Sequence, residues 1–224
     1  MNMICNSSLP SIKKYNHYYI ISCCRYACEG ATALFMHESE APKRISCDQE
    51  YLSGDELLLF PESGEVCIFV YLNGSIDTIL SALKKTASII CNTKCSSSVY
   101  IISDFPPAWV SFILSPLINN ETLLSKVFCT DANLSCEQLL SQDFIRVESI
   151  LSEGIKYKNR KIKRLSLREL AVAIRYYRGE TVNNFSQTLG LPAKSVYVYR
   201  RNGVAKLTAL KQWLNNERAK QSFK

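Results

Sequence analysis

The residues best placed to do chemistry lie near the C-terminal end of the chain. Tyr197, Val198 and Arg201 fall within about one turn of a helix that begins near Ala193, so their side chains share one face. A guanidinium, a phenol hydroxyl and an apolar side chain set together suit guanine edges and thymine methyls in a major groove. Val196, Tyr199 and Gly203 are spaced to face the opposite way, inward. An ordinary amphipathic helix with a polar exposed face would show the same division. The surroundings of the helix must therefore decide between the two.

Charge is the first of those surroundings. From Ile155 to Lys224 there are 17 Lys+Arg against 3 Asp+Glu, a net +14, whereas Met1 to Gly154 holds 10 against 17, a net −7. A basic segment of this size is the electrostatic footprint of a phosphate-neutralising surface. A solvated tail would also be basic, but this segment carries helical periodicity and reads as a folded module. Lys156 to Arg164 is cationic with little to bury, a linker able to lie along a phosphate backbone.

The elements that must hold the reading face follow from capping and spacing. Ser166-x-x-Glu169 is a capping box. Leu170, Ile174 and Tyr177 continue it at helical spacing, and Gly179 is placed to stop the helix. Thr181 caps a second short helix with Val182, Phe185 and Leu189 as its apolar stripe and Gly190 as its end. Two short helices and a tight turn ahead of a third helix form the frame of a helix-turn-helix.

These residues resemble the LuxR-type (GerE-like) DNA-binding domain: Leu165-Ser-Leu-Arg-Glu169, Gly179, Thr181, Leu189, and Lys194-Ser-Val-Tyr-Val-Tyr-Arg-Arg-Asn202 followed by Lys206-Leu207. The match runs from Leu165 to about Leu214, in the family's order and spacing. The resemblance implies base contacts from Tyr197, Val198 and Arg201. It implies phosphate contacts from Lys194, Ser195, Arg200 and Thr181, and a core role for Val196. The chain departs from the pattern in four places. Pro192 replaces a capping hydroxyl, although proline is tolerated in a first turn. Tyr199 replaces a histidine. Gly203 replaces an aliphatic residue and is expected to weaken the helix by ~1 kcal/mol. The short loop after Lys206-Leu207 is missing or reduced, while Leu210, Trp213 and Leu214 keep an apolar stripe; in the family the last helix makes dimer contacts.

The acidic segment reads as alternating strands and helices. Strands are expected at Tyr18 to Cys23, Val66 to Leu72, Val99 to Ile102 and Val127 to Cys129. Helices are expected at Glu29 to Met36, Ile76 to Ile90, Ala108 to Ile118 and from the capping box Ser135-x-x-Gln138 onward; Arg44 to Glu62 is ambiguous. The alternation implies an α/β domain with a parallel sheet covered on both faces, followed by an all-α C-terminal domain. The order is similar to a response-regulator receiver domain, the usual partner of this DNA-binding module. The division expected is 1–150 for the receiver-like domain, 151–164 for the basic linker and 165–224 for the DNA-binding domain.

A receiver by resemblance needs carboxylates after its first strand to hold Mg²⁺ and an aspartate as phosphoacceptor. Here the first strand ends in Ser22-Cys23-Cys24, and Asn73 stands at the acceptor position. Ser103 could fill the usual Ser/Thr position, and Thr130 stands near where a lysine is expected. Asp77 or Asp104 would be the acceptor if the alignment were shifted. The pattern resembles the atypical enterobacterial regulators of the RcsA type, with a receiver that takes up no phosphate.

Other chemistry finds little support. The ten cysteines include no pair with two intervening residues, so a zinc site is not indicated, and Cys67 and Cys129 sit in apolar runs as small buried residues. A reactive thiol needs an electropositive, partly exposed setting. There is no Ser-His-Asp set, paired carboxylate site or Gly-rich phosphate loop, so neither catalytic residue, metal nor cofactor is expected. No apolar run reaches the ~18 residues of a membrane span, and Met1 to Pro10 lacks a secretory h-region. The expectation is a cytoplasmic regulator that binds duplex DNA, as a homodimer or with a partner regulator. The alternative is an anti-activator that has lost specific DNA binding and works through protein contacts.

Overall fold

The computed structural model describes residues 15–35, 42–45, 59–132, 144–147, 149 and 165–221. Six strands form one sheet: β1 His17–Ser22, β2 Lys43–Ile45, β3 Glu65–Leu72, β4 Ser96–Ser103, β5 Val127–Asp131 and β6 Ile145–Arg146. Their order is β2-β1-β3-β4-β5-β6, parallel except for the antiparallel β6 edge. The helices of this half are α1 Arg25–Phe35, α2 Ile76–Asn92, α3 Pro107–Leu114 and α4 Glu121–Leu124.

The expected alternation and parallel sheet are present. α1 starts four residues earlier than its apolar spacing suggested, because the chain turns directly after Ser22. The short β2 runs from Lys43 into the start of the ambiguous stretch and pairs through Tyr19↔Lys43 to Ile21↔Ile45. The expected helix 108–118 ends at Leu114. The helix expected from Ser135 lies outside the described residues. Two elements had no local signal: the one-turn α4, capped by Asn120, and the two-residue β6.

The pleat separates the two sheet faces. Tyr19, Ile21, Val66, Ile68, Val70, Val99, Ile101, Val127 and Cys129 point into one buried cluster with α2 and α3. The other face carries a cross-strand row, Ile20–Phe69–Tyr100–Phe128–Arg146, in ladder register. Phe69, Tyr100 and Phe128 stack along it at 5.4 and 5.2 Å, and Arg146 lies over Phe128 at 5.7 Å. β1 steps outward to β2 whereas β3 to β5 step the other way. Right-handed crossovers therefore put α1 on the face opposite α2 and α3. The strand order reverses between β1 and β3, where α/β sheets form a crevice at the carboxyl ends of their strands.

α2 is buried nearly all round, from Ile79 through Ala87, including Ser81, Lys85 and Thr86. The sheet takes one side. The other side packs on the helical C-terminal region: α5 Leu167–Tyr177, α6 Val182–Leu189 and α7 Ala193–Gln221. Leu165, Leu170, Ala173, Ile174, Leu207 and Leu210 belong to the same apolar cluster as the α2 side of the sheet. Arg178 donates from Nη2 to Ser81 Oγ at 2.9 Å across this contact. Among the described residues, no helix is long and apolar enough to cross a membrane.

Candidate nucleic-acid interface

The helix-turn-helix frame is built from its caps inward. Ser166 Oγ accepts from the Glu169 amide at 3.2 Å, and the Ser166 amide donates to Glu169 Oε2 at 2.7 Å, which completes the expected capping box. After α5 the chain reverses at Gly179, whose φ of 77° suits glycine. Thr181 Oγ1 accepts from the Asn184 amide at 3.4 Å and opens α6. Gly190, with φ 59°, ends it, and the Leu191 amide bonds back to the Ser186 carbonyl. Val172, Phe185 and Val196 are fully buried between the three helices, with Val182, Leu189, Leu191 and Tyr199 packed around them. Leu170 and Ile174 instead face the cluster shared with α2, so α5 has two apolar faces where its spacing suggested one.

That frame leaves one face of α7 open. Tyr197 is 52% exposed, Val198 43%, and Arg201 is exposed beside them. Lys194 is exposed one turn earlier, and Ser195 is half-buried. Arg200 is also half-buried, because its guanidinium lies between two rings, 5.0 Å from Tyr197 and 5.4 Å from Tyr176. The Thr181 hydroxyl caps α6 and keeps its own proton for donation. Of the expected inward residues, Val196 and Gly203 are buried. Tyr199 is only half so, its hydroxyl accepting from Arg168 Nη1 at 3.3 Å. Sequence reasoning missed Tyr176 and Arg168. They lie on α5 and join the α7 surface only through tertiary packing.

Gly203 has a different role from the one its helix propensity suggested. A Cβ there would lie 2.8 Å from the Glu169 carbonyl oxygen, so the absent side chain is what lets α7 approach the α5 backbone. Gly203→Ala is expected to lower stability by about 1–3 kcal/mol, the steric cost of overpacking exceeding the gain in helix propensity. Chemical denaturation followed by circular dichroism will measure it. An alanine variant as stable as the parent would contradict the close approach.

Beside this contact, Lys206 Nζ donates to Glu169 Oε1 and Oε2 at 2.8 and 2.6 Å. Burial pushes the Glu169 carboxyl up, but the Lys206 ammonium and the Ser166 amide outweigh it and hold the carboxyl below its ordinary value. α7 then runs unbroken to Gln221, so of the missing or reduced loop expected after Lys206-Leu207 it is the missing one that the structure shows.

At the other end of the molecule, the carboxyl ends of the strands gather the receiver-like positions. Asn73 follows β3 directly, with Gly74 at φ 100° and Ser75 before α2. Ser22 is buried at the end of β1, and its Oγ accepts from the Cys24 amide at 3.1 Å. Ser103 is buried at the end of β4, accepting from the Phe105 amide at 3.0 Å. Thr130 is buried on β5. Asp77 lies in the first turn of α2, where a carboxylate complements the helix dipole. Directly after β1 and β3 stand two cysteine thiols and an amide beside the Ser22 hydroxyl, with Asp104 after β4, a set short of the several oxygens a hard cation prefers. No cluster of three or more His, Cys, Asp or Glu suited to a metal occurs among the described residues.

No protein-family model matches the sequence, and no curated protein matches it. Solved structures do resemble the fold. RcsB from Salmonella enterica serovar Typhimurium, bound to promoter P1flhDC in the presence of phosphomimetic BeF3-, superposes with a TM-score of 0.50 at 14% identity, over 91% of this chain and 99% of that one. Another structure of Salmonella typhimurium RcsB, described for its conformational dynamism in DNA interaction, gives 0.47 at 16% identity over 90% and 98%. The same organism's RcsB bound to promoter rprA gives 0.46 at 15% identity over 86% and 93%. The first of these shows that the chain has the RcsB response-regulator fold, a parallel-dominated six-stranded sheet followed by a helical C-terminal region.

Proposed function

We propose that this protein is a sequence-specific DNA-binding transcription regulator that works without phosphorylation, as a homodimer or with a partner regulator. The observation that carries the reading is the open face of α7. Tyr197, Val198 and Arg201 are exposed together on a helix-turn-helix frame, in a segment of net +14. In this reading Arg201 takes a guanine edge, Val198 a thymine methyl, and Tyr197 donates a hydroxyl. Lys194, Ser195, Arg200 and Thr181 neutralise or bond phosphates and set the register. Residues 1–150 are the receiver-like domain, 151–164 the basic linker and 165–224 the reading domain. The absence of an acidic side chain at Asn73 supports a pseudo-receiver akin to the RcsA-type regulators.

Arg201→Ala is expected to lose ~1–3 kcal/mol on the preferred site, about five- to 150-fold in affinity, and to relax choice at one base pair. Lys194→Ala should weaken all sequences evenly. Footprinting and selection from random duplexes will separate the two. An unchanged site preference in Arg201→Ala would falsify the assignment of the reading face. An anti-activator that captures another regulator is the second reading, favoured by the unbroken course of α7. It predicts no footprint at any promoter.

Incubation with a small phosphodonor and Mg²⁺ is expected to leave the intact mass unchanged. An acyl phosphate needs a carboxylate nucleophile, and Asn73 presents an amide. A phosphoryl gain that vanishes on replacing one aspartate would restore an ordinary phosphorelay.

A further inference from the structure

The basic side chains of the helical region differ in what holds them. Arg175 pairs with Glu180 at 2.9 Å, Lys206 pairs with Glu169, and Arg178 donates to Ser81. Those three use donors within the protein. Arg200 is held another way. Its guanidinium lies over the rings of Tyr197 at 5.0 Å and Tyr176 at 5.4 Å, both inside the ~6 Å reach of a cation–π contact. Among the described residues no carboxylate pairs with it. A ring contact occupies the face of a guanidinium and leaves its planar fork of N–H donors for other acceptors. Arg200 is therefore ordered without being neutralised. The two rings come from different elements. Tyr197 precedes Arg200 by about one turn of α7. Tyr176 is in the last turn of α5 and meets Arg200 because α5 and α7 pack together. Its ring meets that of Tyr177 edge to face at 5.5 Å, and Tyr177 packs against the core shared with α2. Tyr176 itself stays 41% exposed, so the stack borders the open face of α7.

We propose that Tyr176 is a positioning residue for DNA binding, whose ring holds the Arg200 guanidinium against Tyr197 with its N–H fork ready for a backbone phosphate. The proposal deepens the DNA-binding reading above and rests on it. A long arginine stem loses rotamer freedom when it binds, and ordering by two rings beforehand lessens that loss. The planar fork can then take two phosphate oxygens at once. A phosphate contact carries no base discrimination, so the contribution of Tyr176 is the same on every duplex. It also acts only through Arg200. A ring that merely packed one helix on the other would contribute whether or not Arg200 were present.

The test is a double-mutant cycle on the full-length chain, with binding to a preferred and a scrambled duplex read by fluorescence anisotropy. Tyr176→Leu is expected to weaken both about two- to fivefold, with circular dichroism unchanged. Tyr176→Phe keeps the ring and should bind like the parent. Arg200→Ala should weaken both duplexes and make the salt slope shallower by about one unit, and adding Tyr176→Leu to it should cause no further loss. In Arg201→Ala the loss from Tyr176→Leu should persist in full. If Tyr176→Leu unfolds, para-cyanophenylalanine in place of Tyr176 takes its part in the cycle, since it keeps the ring's shape and makes its face less negative. The same loss is expected of it. Parent-like affinity on changing Tyr176 to leucine, an equal loss in Tyr176→Phe, or a loss that persists in full beside Arg200→Ala overturns the proposal, while salt-dependent binding by the parent keeps the DNA-binding reading. A parent chain that binds neither duplex overturns both.

Discussion

Replacing Lys206 with methionine is expected to destabilise the protein by about 3–5 kcal/mol, the range found when one partner of a buried ion pair is removed. Glu169 has a side-chain exposure of 7% and Lys206 21%, so the carboxylate left behind has little water to turn to. The same carboxylate caps α5 through the Ser166 amide, so α5 and its contact with α7 both weaken. The pH dependence follows from the direction of the Glu169 shift. Its folded pKa lies below the ordinary 4.5, so the pair's contribution is complete above that value and is lost as pH falls through the lower folded value. In Lys206→Met the unpaired carboxyl takes up a proton more readily, so the gap between variant and parent narrows toward acid. Urea unfolding at neutral and acidic pH will measure both. A loss below 1 kcal/mol at neutral pH, or a gap that widens toward acid, would mean that the pair behaves as a surface salt bridge.

Binding to duplex DNA is expected to fall roughly a thousandfold between 50 and 200 mM salt if about six phosphates are neutralised, since each contributes about −0.9 to the slope of log K against log salt. The cations are at hand in the described region: Arg168, Lys194, Arg201 and Lys211 are exposed, and Arg200 is half-buried. The run from Lys156 to Arg164 adds six more Lys+Arg. Fluorescence anisotropy across a salt series, on a preferred and on a scrambled duplex, will give the slope. Neutralising Lys194 should make it shallower by about one unit for both duplexes. A slope near zero would remove the electrostatic basis of the DNA-binding reading and favour protein capture.

Much of the helix-turn-helix frame was legible in the sequence because its signals are local. A capping box spans four residues, Thr181 caps the helix that follows it, and Gly179 and Gly190 mark turns that need positive φ. Apolar strand runs and the helix from Ile76 are equally local, so the alternating α/β order could be read directly. β6 could not, since two residues carry no period and pair only because β5 lies beside them. Gly203 was misread for a related reason. Propensity describes a helix alone, whereas the cost at this position is set by a carbonyl on another helix, 2.8 Å from where a Cβ would stand.

What the sequence by itself determined is therefore the set of groups and their local order: the basic segment, the helix-turn-helix frame, the Tyr197, Val198 and Arg201 face, and an amide, Asn73, directly after β3. Only the tertiary structure decided which distant groups meet. Glu169 finds Lys206 across 37 residues of chain, and Arg178 reaches Ser81 across 97. Local signals arise from backbone hydrogen bonds and side-chain periodicity within a few residues. Contacts between elements depend instead on how whole faces pack together, which no short window of sequence contains.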